Sequence, residues 1–285
     1  MVYQIAKDRG LPVVERRASQ MTEEVSGRNP RIQRMRRLVR DRGFRHDEAA
    51  YVVEGPSLVA EALDAGREVR QVVVPSSAAS HQVLHRAGWS GAATFVVPDG
   101  VFEGLSSTRS PQPALAEVAF HDAEPADLAT TTGPLLVLAE VSDPGNAGTL
   151  FRSAEAFGAT GVVVAGGVDP YNPKLVRAAA GSTFRLPFAL VDDPLTALRL
   201  LCGAGYGCWA TVPRGGIPPA EVSTDGPVAL VLGNEPHGLS EEVVGACEGV
   251  VSIPTVGGVD SLNVAIAGSV ALHDLVGRSL RGDGA

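Results

Sequence analysis

The stretch Leu135-Leu-Val-Leu-Ala-Glu-Val141, closing on Ser142-Asp143-Pro-Gly-Asn146-Ala-Gly-Thr-Leu-Phe-Arg152, decides the fold of this chain. Its first seven residues form a short, nearly continuous apolar run, which predicts a strand covered on both faces. A Pro-Gly turn then opens a helix through Phe157. The same unit recurs downstream. Strands Gly161–Ala165, Phe188–Val191, Cys208–Val212, Val228–Leu232 and Gly249–Ile253 alternate with helices Lys174–Gly181, Pro194–Gly203, Ser240–Ala246 and Leu262–Leu280. Such alternation predicts a parallel α/β sheet, whose ligands bind at the carboxyl ends of its strands.

Two further segments leave strands in the same way. Leu232-Gly-Asn-Glu235-Pro-His-Gly238-Leu-Ser240 is one, and Ser252-Ile-Pro-Thr-Val-Gly-Gly-Val-Asp-Ser261-Leu-Asn263-Val-Ala-Ile-Ala267 is the other. The latter sets backbone N–H groups, a hydroxyl and a carboxamide at the mouth of an apolar helix, beside a glycine loop. That suits a small polar ligand or a substrate group. The common position after strand ends predicts one shared site. Taken singly, each residue has a plainer reading. Asn146 is a turn or cap residue, Arg152 a surface charge and Glu235 an acid near a helix start. Ser261 is an N-cap and Asn263 a first-turn residue.

Upstream, residues 1–27 show no period and read as a mobile arm. The stretch Arg28–Arg45 carries eight arginines (Arg28, Arg31, Arg34, Arg36, Arg37, Arg40, Arg42 and Arg45) against one acid, Asp41. Ile32, Met35, Leu38 and Val39 recur at helical spacing, so the arginines are expected to cover the opposite face. A strand at Tyr51, helix Pro56–Ala65, strand Val69–Val74, a helix near Ser80–Ala87 and strand Ala93–Val97 follow. They predict a small α/β/α domain over 28–120. His121–Gly133 reads as a linker, and 134–285 as the second domain.

Formal net charge is −8. Residues 1–50 hold 12 Lys+Arg and 7 Asp+Glu (12 − 7 = +5), whereas residues 51–285 hold 12 and 25 (12 − 25 = −13). Salt screens charges beyond about 8–10 Å, so the basic end decides phosphate binding rather than the total. The sequence has no 18-residue apolar run and no apolar leader, so neither membrane insertion nor secretion is expected. Three cysteines (Cys202, Cys208, Cys247) without metal-ligand spacing fit a reduced cytoplasm. His81 and His85 lack a third ligand, so no metal site is expected. The dinucleotide and P-loop glycine fingerprints and the nucleophile elbow are all absent. A nucleotide-dependent oxidoreductase is thereby disfavoured.

Jointly, DPGNAGTLFRSAEAFG (143–158), LVLGNEPHGLS (230–240) and SIPTVGGVDSLNVAIA (252–267) resemble, in order and spacing, the three motifs of the SpoU/TrmH family of RNA ribose 2′-O-methyltransferases in the SPOUT superfamily. Residues 28–63 also resemble the start of the RNA-binding domain that precedes many such catalytic domains. The sequence departs from the common pattern at Pro236, Thr255, Asp260 and Ala265. The resemblance implies a C-terminal trefoil knot, a homodimer and S-adenosylmethionine held mainly by backbone groups at Thr211, Gly233, Ile253 and Leu262. It implies Arg152 as the catalytic arginine, with Asn146, Ser261 and Asn263 orienting ribose, phosphate or loops. Glu235 is either a proton acceptor or the residue that fixes Arg152. The basic segment would bind RNA. Ribosomal RNA is preferred over transfer RNA because of the appended domain. The arginine-rich composition admits an antibiotic-resistance role. The alternative class is an RNA-binding protein that keeps the fold without catalysis.

Overall fold

The computed structural model describes residues 22–256 and 261–277. In chain order its elements are β1 (Glu23–Glu24), α1 (Pro30–Arg40), α2 (Arg42–Glu48), β2 (Ala50–Glu54), α3 (Pro56–Asp64), β3 (Val69–Pro75), α4 (Gln82–Ser90), β4 (Ala93–Val97), α5 (Asp99–Glu103) and β5 (Leu115–Ala119). There follow α6 (Pro125–Ala129), β6 (Leu135–Ala139), α7 (Pro144–Ala156), β7 (Gly161–Ala165), α8 (Pro173–Ala178), α9 (Ser182–Arg185), β8 (Phe188–Val191), α10 (Pro194–Gly203), β9 (Gly207–Thr211), β10 (Val228–Leu232), α11 (Glu241–Gly245), β11 (Gly249–Val251) and α12 (Val264–Val276). Residues 278–280 of the expected last helix lie outside the described residues.

The second half forms a six-stranded sheet in the order β11-β9-β10-β6-β7-β8. Every pairing in it is parallel, as the apolar runs predict. Because side chains alternate, the inner strands feed two cores. Leu136, Leu138, Val162, Val164, Leu230 and Leu232 pack on one face with residues of α7 and α12. Leu135, Val137, Val163, Ala229 and Val231 pack on the other with α10. Burying one such side chain contributes about 1.5–3 kcal/mol, so a single charge in β6 or β10 would be severely destabilising.

The first half forms a five-stranded sheet, β1-β4-β3-β5-β2. β5 is antiparallel to both β3 and β2, so the sheet is mixed. β1 lies within the expected mobile arm, yet it pairs parallel with β4; residues 1–21 lie outside the described residues. The expected linker is also packed. It carries α6, with Leu128 buried, and Ala123 bridges to Ala189 of β8.

The basic stretch is two helices, because Asp41 ends one and begins the next. Its backbone N–H closes α1 on the Arg37 carbonyl (2.9 Å), while its carboxylate accepts the Phe44 N–H (3.1 Å) and caps α2. Ile32, Met35, Leu38 and Val39 bury against the sheet as their spacing predicts.

One apolar cluster runs continuously from the first sheet into the second. At the junction Phe120 stacks on Tyr171 with centroids 3.6 Å apart, and the Tyr51 hydroxyl meets His121 Nε2 at 3.0 Å. Burial, helped by the Arg67 charge, pushes His121 down to about 4, so its imidazole is neutral there. Arg177 donates to Glu54 (2.8 Å), Arg185 to Glu61 (2.6 Å), and Arg67 to the Phe184 carbonyl (2.8 Å) across the same junction.

Candidate active site

The loops after β9, β10 and β11 meet at the carboxyl edge of the six-stranded sheet. They enclose a cavity of 520 Å³, within the roughly 300–1,000 Å³ of small-molecule sites. Thr211, Gly233, Ile253 and Leu262, the four positions expected to hold the cofactor, all line it, as do Glu235, Ser261 and Asn263. Asn146 sits at its rim through Asn263. Gly233 has no room for a side chain, since a Cβ there would stand 2.5 Å from the Gly238 carbonyl carbon. Thr211 is tied to β10 by its hydroxyl, which donates to the Val231 carbonyl at 2.8 Å.

A hydrogen-bonded chain joins the three segments. Glu235 Oε1 accepts from Asn146 Nδ2 (3.0 Å) and the Asp143 N–H (3.1 Å), and Oε2 from the Ser142 N–H (3.1 Å) and hydroxyl (2.9 Å). Asn146 Oδ1 accepts from Asn263 Nδ2 (3.1 Å). Asn263 Oδ1 in turn accepts from the N–H groups of Ala265 (2.9 Å) and Ile266 (3.3 Å), capping α12. A carboxylate only accepts and a helix N-terminus only donates. The two ends therefore dictate which way each intervening amide points. Each Asn NH₂ keeps one hydrogen beyond these bonds.

The same contacts fix the protonation of Glu235. Burial raises its pKa, but the Asn146 amide and the backbone N–H groups of Ser142, Glu235 and Asp143 outweigh that and hold it down at about 2. A carboxylate so occupied is a poor proton acceptor. Of the two roles expected for Glu235, neither matches the described contacts: it fixes Asn146 and the start of α7, and no contact joins it to Arg152.

Arg152 lies on the exposed side of α7 and makes no hydrogen bond or ion pair with another described residue. Ser261 is exposed at the cavity. Asp143 was not among the expected site residues, although Asp before Pro at a helix start signals an N-cap. Its carboxylate accepts from the Gly145 (2.7 Å) and Asn146 (2.9 Å) N–H groups and from Lys174 Nζ (2.8 Å). These bonds, Lys174 foremost, lower its pKa. Lys174 had no local signal, since only the packing of α8 on α7 brings it there. Asn234 was not expected either. Its Nδ2 donates to the Glu140 carbonyl (2.8 Å), and its buried Oδ1 has no partner among the described residues.

The arginine-rich helices divide. Arg28, Arg31, Arg37, Arg40 and Arg42 are exposed and Arg36 is half-buried. Arg37 is held over the Phe44 ring, 3.7 Å from its centroid. Arg34 is half-buried and paired with Glu48 and Glu117, so little of it is free for phosphate. Arg45 does not belong to the surface at all. The break at Asp41 turns it inward, where it is 3% exposed and bonded to Asp169.

Residues 133–273 match the SpoU rRNA Methylase family, and residues 29–116 match the MRM3-like substrate binding domain. The chain is 29% identical over 270 residues to a 23S rRNA (uridine(2479)-2′-O)-methyltransferase of Streptomyces viridochromogenes, covering 90% of this chain and 93% of that one. It is 30% identical over 267 residues to an uncharacterized tRNA/rRNA methyltransferase of Mycobacterium sp. (strain KMS), covering 91% and 77%. The crystal structure of an AdoMet-bound rRNA methyltransferase from Sinorhizobium meliloti superposes with a TM-score of 0.81 at 29% identity, covering 91% of this chain and 98% of the other. Matches of this length span both sheets and take in all three loops at the cavity, and on that ground the chain belongs to the SpoU rRNA methylase family.

Proposed function

We propose that the chain transfers a methyl group from S-adenosylmethionine to a ribose 2′-hydroxyl of ribosomal RNA. The observation that carries this reading is the Asn263–Asn146–Glu235 chain at the mouth of a cavity lined by all four expected cofactor positions. The cavity suits the cofactor. Leu232, Val251, Ile253, Leu262 and Ala267 offer apolar walls, residues of three strand ends line it, and Asn234 Oδ1 is a buried acceptor with no donor among the described residues. Thr211, Gly233, Ile253 and Leu262 would hold it. When bound, it supplies a methyl already activated by sulfonium charge.

The residues of the chain then have to align the hydroxyl and stabilise the alkoxide that develops. A guanidinium stays charged at any working pH, so Arg152 serves as an electrostatic clamp on the hydroxyl and the adjacent phosphate, not as a base. The free amide hydrogens of Asn146 and Asn263, with the Ser261 hydroxyl, orient ribose and phosphate oxygens. Glu235 holds these amides in place. The proton leaves to a phosphate oxygen or to water.

Several further features belong to this reading. The exposed arginines of α1 and α2 bind RNA phosphates within a domain spanning 28–120, and 134–285 is the methyltransferase domain. A second copy of the chain covers the apolar stripe Leu262, Ile266 and Val270, of which Ile266 is 55% exposed. The C-terminal segment forms a trefoil knot, as the family resemblance implies. The enzyme works in the cytoplasm with the ribosome. The test is to map 2′-O-methylation on total RNA with and without the gene. Loss of a single ribosomal ribose methylation is expected, and an unchanged map overturns the proposal.

A further inference from the structure

Arg45 and Asp169 lie in different halves of the molecule and are both buried, with side chains 4% exposed. Arg45 Nε and Nη2 both donate to Asp169 Oδ2, at 2.9 and 2.5 Å, while Nη1 donates to the Leu38 carbonyl at 2.8 Å. Asp169 Oδ1 accepts the Tyr171 N–H at 2.9 Å. The pair is saturated and offers nothing to a ligand. Nor is it needed to hold the halves together, because the aromatic stack of Phe120 on Tyr171 and the ion pairs of Arg177 and Arg185 already do so. A buried ion pair is weak evidence for stability, but it does fix register.

What it registers is specific. Asp169 lies in the loop after β7, at the same carboxyl edge as the cavity loops. Arg42 donates to the Gly167 carbonyl of that loop at 3.2 Å. The loop is laid against the segment that enters the site: the Val168 N–H donates to the Val141 carbonyl at 2.9 Å, and a Cβ on Gly167 would stand 2.5 Å from the same oxygen. Val141 is followed by Ser142 and Asp143, whose N–H groups hold Glu235. An unbroken run of contacts therefore joins the arginine helices to Asn146 and Asn263.

We infer that Arg45 and Asp169 are positioning residues for methyl transfer: they lock the RNA-binding helices in register with the catalytic loops, so that phosphates bound on α1 and α2 present one particular ribose to Arg152. The inference rests on the function proposed above. A misplacement of about 1 Å can cost about 10²-fold in rate, which is the scale of effect such a lock would control.

The test compares the wild-type chain with the double variant Arg45→Met/Asp169→Leu and with Arg45→Lys, using rRNA from cells that lack the gene. Replacing both partners with apolar residues of similar volume is often neutral for stability, so Tm and S-adenosylmethionine affinity should be retained. RNA affinity and its salt slope should change less than about 3-fold, because the exposed arginines remain. At saturating RNA, kcat should fall about 10- to 100-fold, and Arg45→Lys should recover part of it. Wild-type kcat in the double variant overturns the inference. So does a loss of kcat that tracks a fall in Tm in both variants, which would mark a merely structural role. Absence of methyl transfer by the wild-type chain defeats the proposed function instead. The inference is then scored by hydroxyl-radical footprints, which should blur in the double variant and overturn it if they stay sharp.

Discussion

The rim of the cavity and the junction between the two sheets both use polar side chains to tie distant segments, but they leave opposite things behind. At the rim, Asn263, Asn146 and Glu235 link three loops at separations of 117 and 89 residues. Their fixed ends orient two amides and leave donors over. At the junction, Arg45 and Asp169 are paired and buried, and buried Tyr51 is paired with half-buried His121. Polar side chains thus leave donors over in one place and fix register in the other. What separates them is whether hydrogen-bonding capacity remains after the fold is satisfied.

The sharpest way to break that contrast is at Arg152, the cation of the site with no described partner. Arg152→Ala should lower kcat by at least about 10²- to 10³-fold, the scale of losing one electrostatic clamp. Calorimetry should find S-adenosylmethionine affinity unchanged. Near-normal turnover would remove Arg152 from the chemistry.

Glu235→Gln comes next. The amide keeps the shape but brings a donor either against the Ser142 N–H or against the Asp143 N–H and Asn146 Nδ2. The orientation of the whole chain is then lost, and kcat should drop about 10- to 100-fold. Because the carboxylate titrates at about 2, the pH–rate profile should show no limb from Glu235 above about pH 4 in the wild-type chain. An acid limb near pH 5 that vanishes in the variant would make Glu235 a base after all.

A smaller effect is expected from the arginine surface. Combining Arg28→Gln, Arg31→Gln and Arg37→Gln should weaken RNA binding. The slope of log affinity against log salt should fall by about 0.7–0.9 for each phosphate no longer neutralised. Cofactor affinity should not move. An unchanged slope in filter-binding titrations would mean that these arginines only solvate a helix, and that RNA selection comes from the second half alone.

The mildest test separates rim and junction by pH. His121 is neutral when folded, with its pKa lowered by burial from 6.5 to about 4. The unfolded chain therefore binds this proton first, and the stability His121 provides is lost as pH falls from about 6.5 to 4. Glu235 is lowered from 4.5 to about 2, so its contribution is lost in the lower window, between those values. Thermal melts should show the upper slope disappear in His121→Phe while the lower one persists. A slope between pH 6.5 and 4 that survives the substitution would place its origin elsewhere.

The legibility of the chain followed the physics of each element. β6, β7, β8 and β10 could be read to within a residue or two because a parallel strand buried on both faces must be continuously apolar. The motif loops could be placed because ligands of such sheets bind where strands end. β5 gave no such signal because an antiparallel strand carrying Glu117 shows no continuous apolar run, although Glu117 is buried against Gln71 and Arg34. The inward turn of Arg45 had no local cue either, since the helical spacing of Ile32, Met35, Leu38 and Val39 says nothing about a rotation at Asp41.

By itself, then, the sequence determined the α/β class, the strands of the second sheet, the three segments of the site and the excess of positive charge near the amino end. These depend on local periodicity and composition, which neighbours along the chain are enough to express. Only the tertiary structure decided that Glu235 is a saturated anchor, that Asp143 and Lys174 share the site, and that Arg45 locks two halves instead of facing solvent. Each of those outcomes depends on which polar groups from remote segments arrive within hydrogen-bonding distance. Spacing in the sequence does not carry that information, because packing of helices and loops supplies the partner.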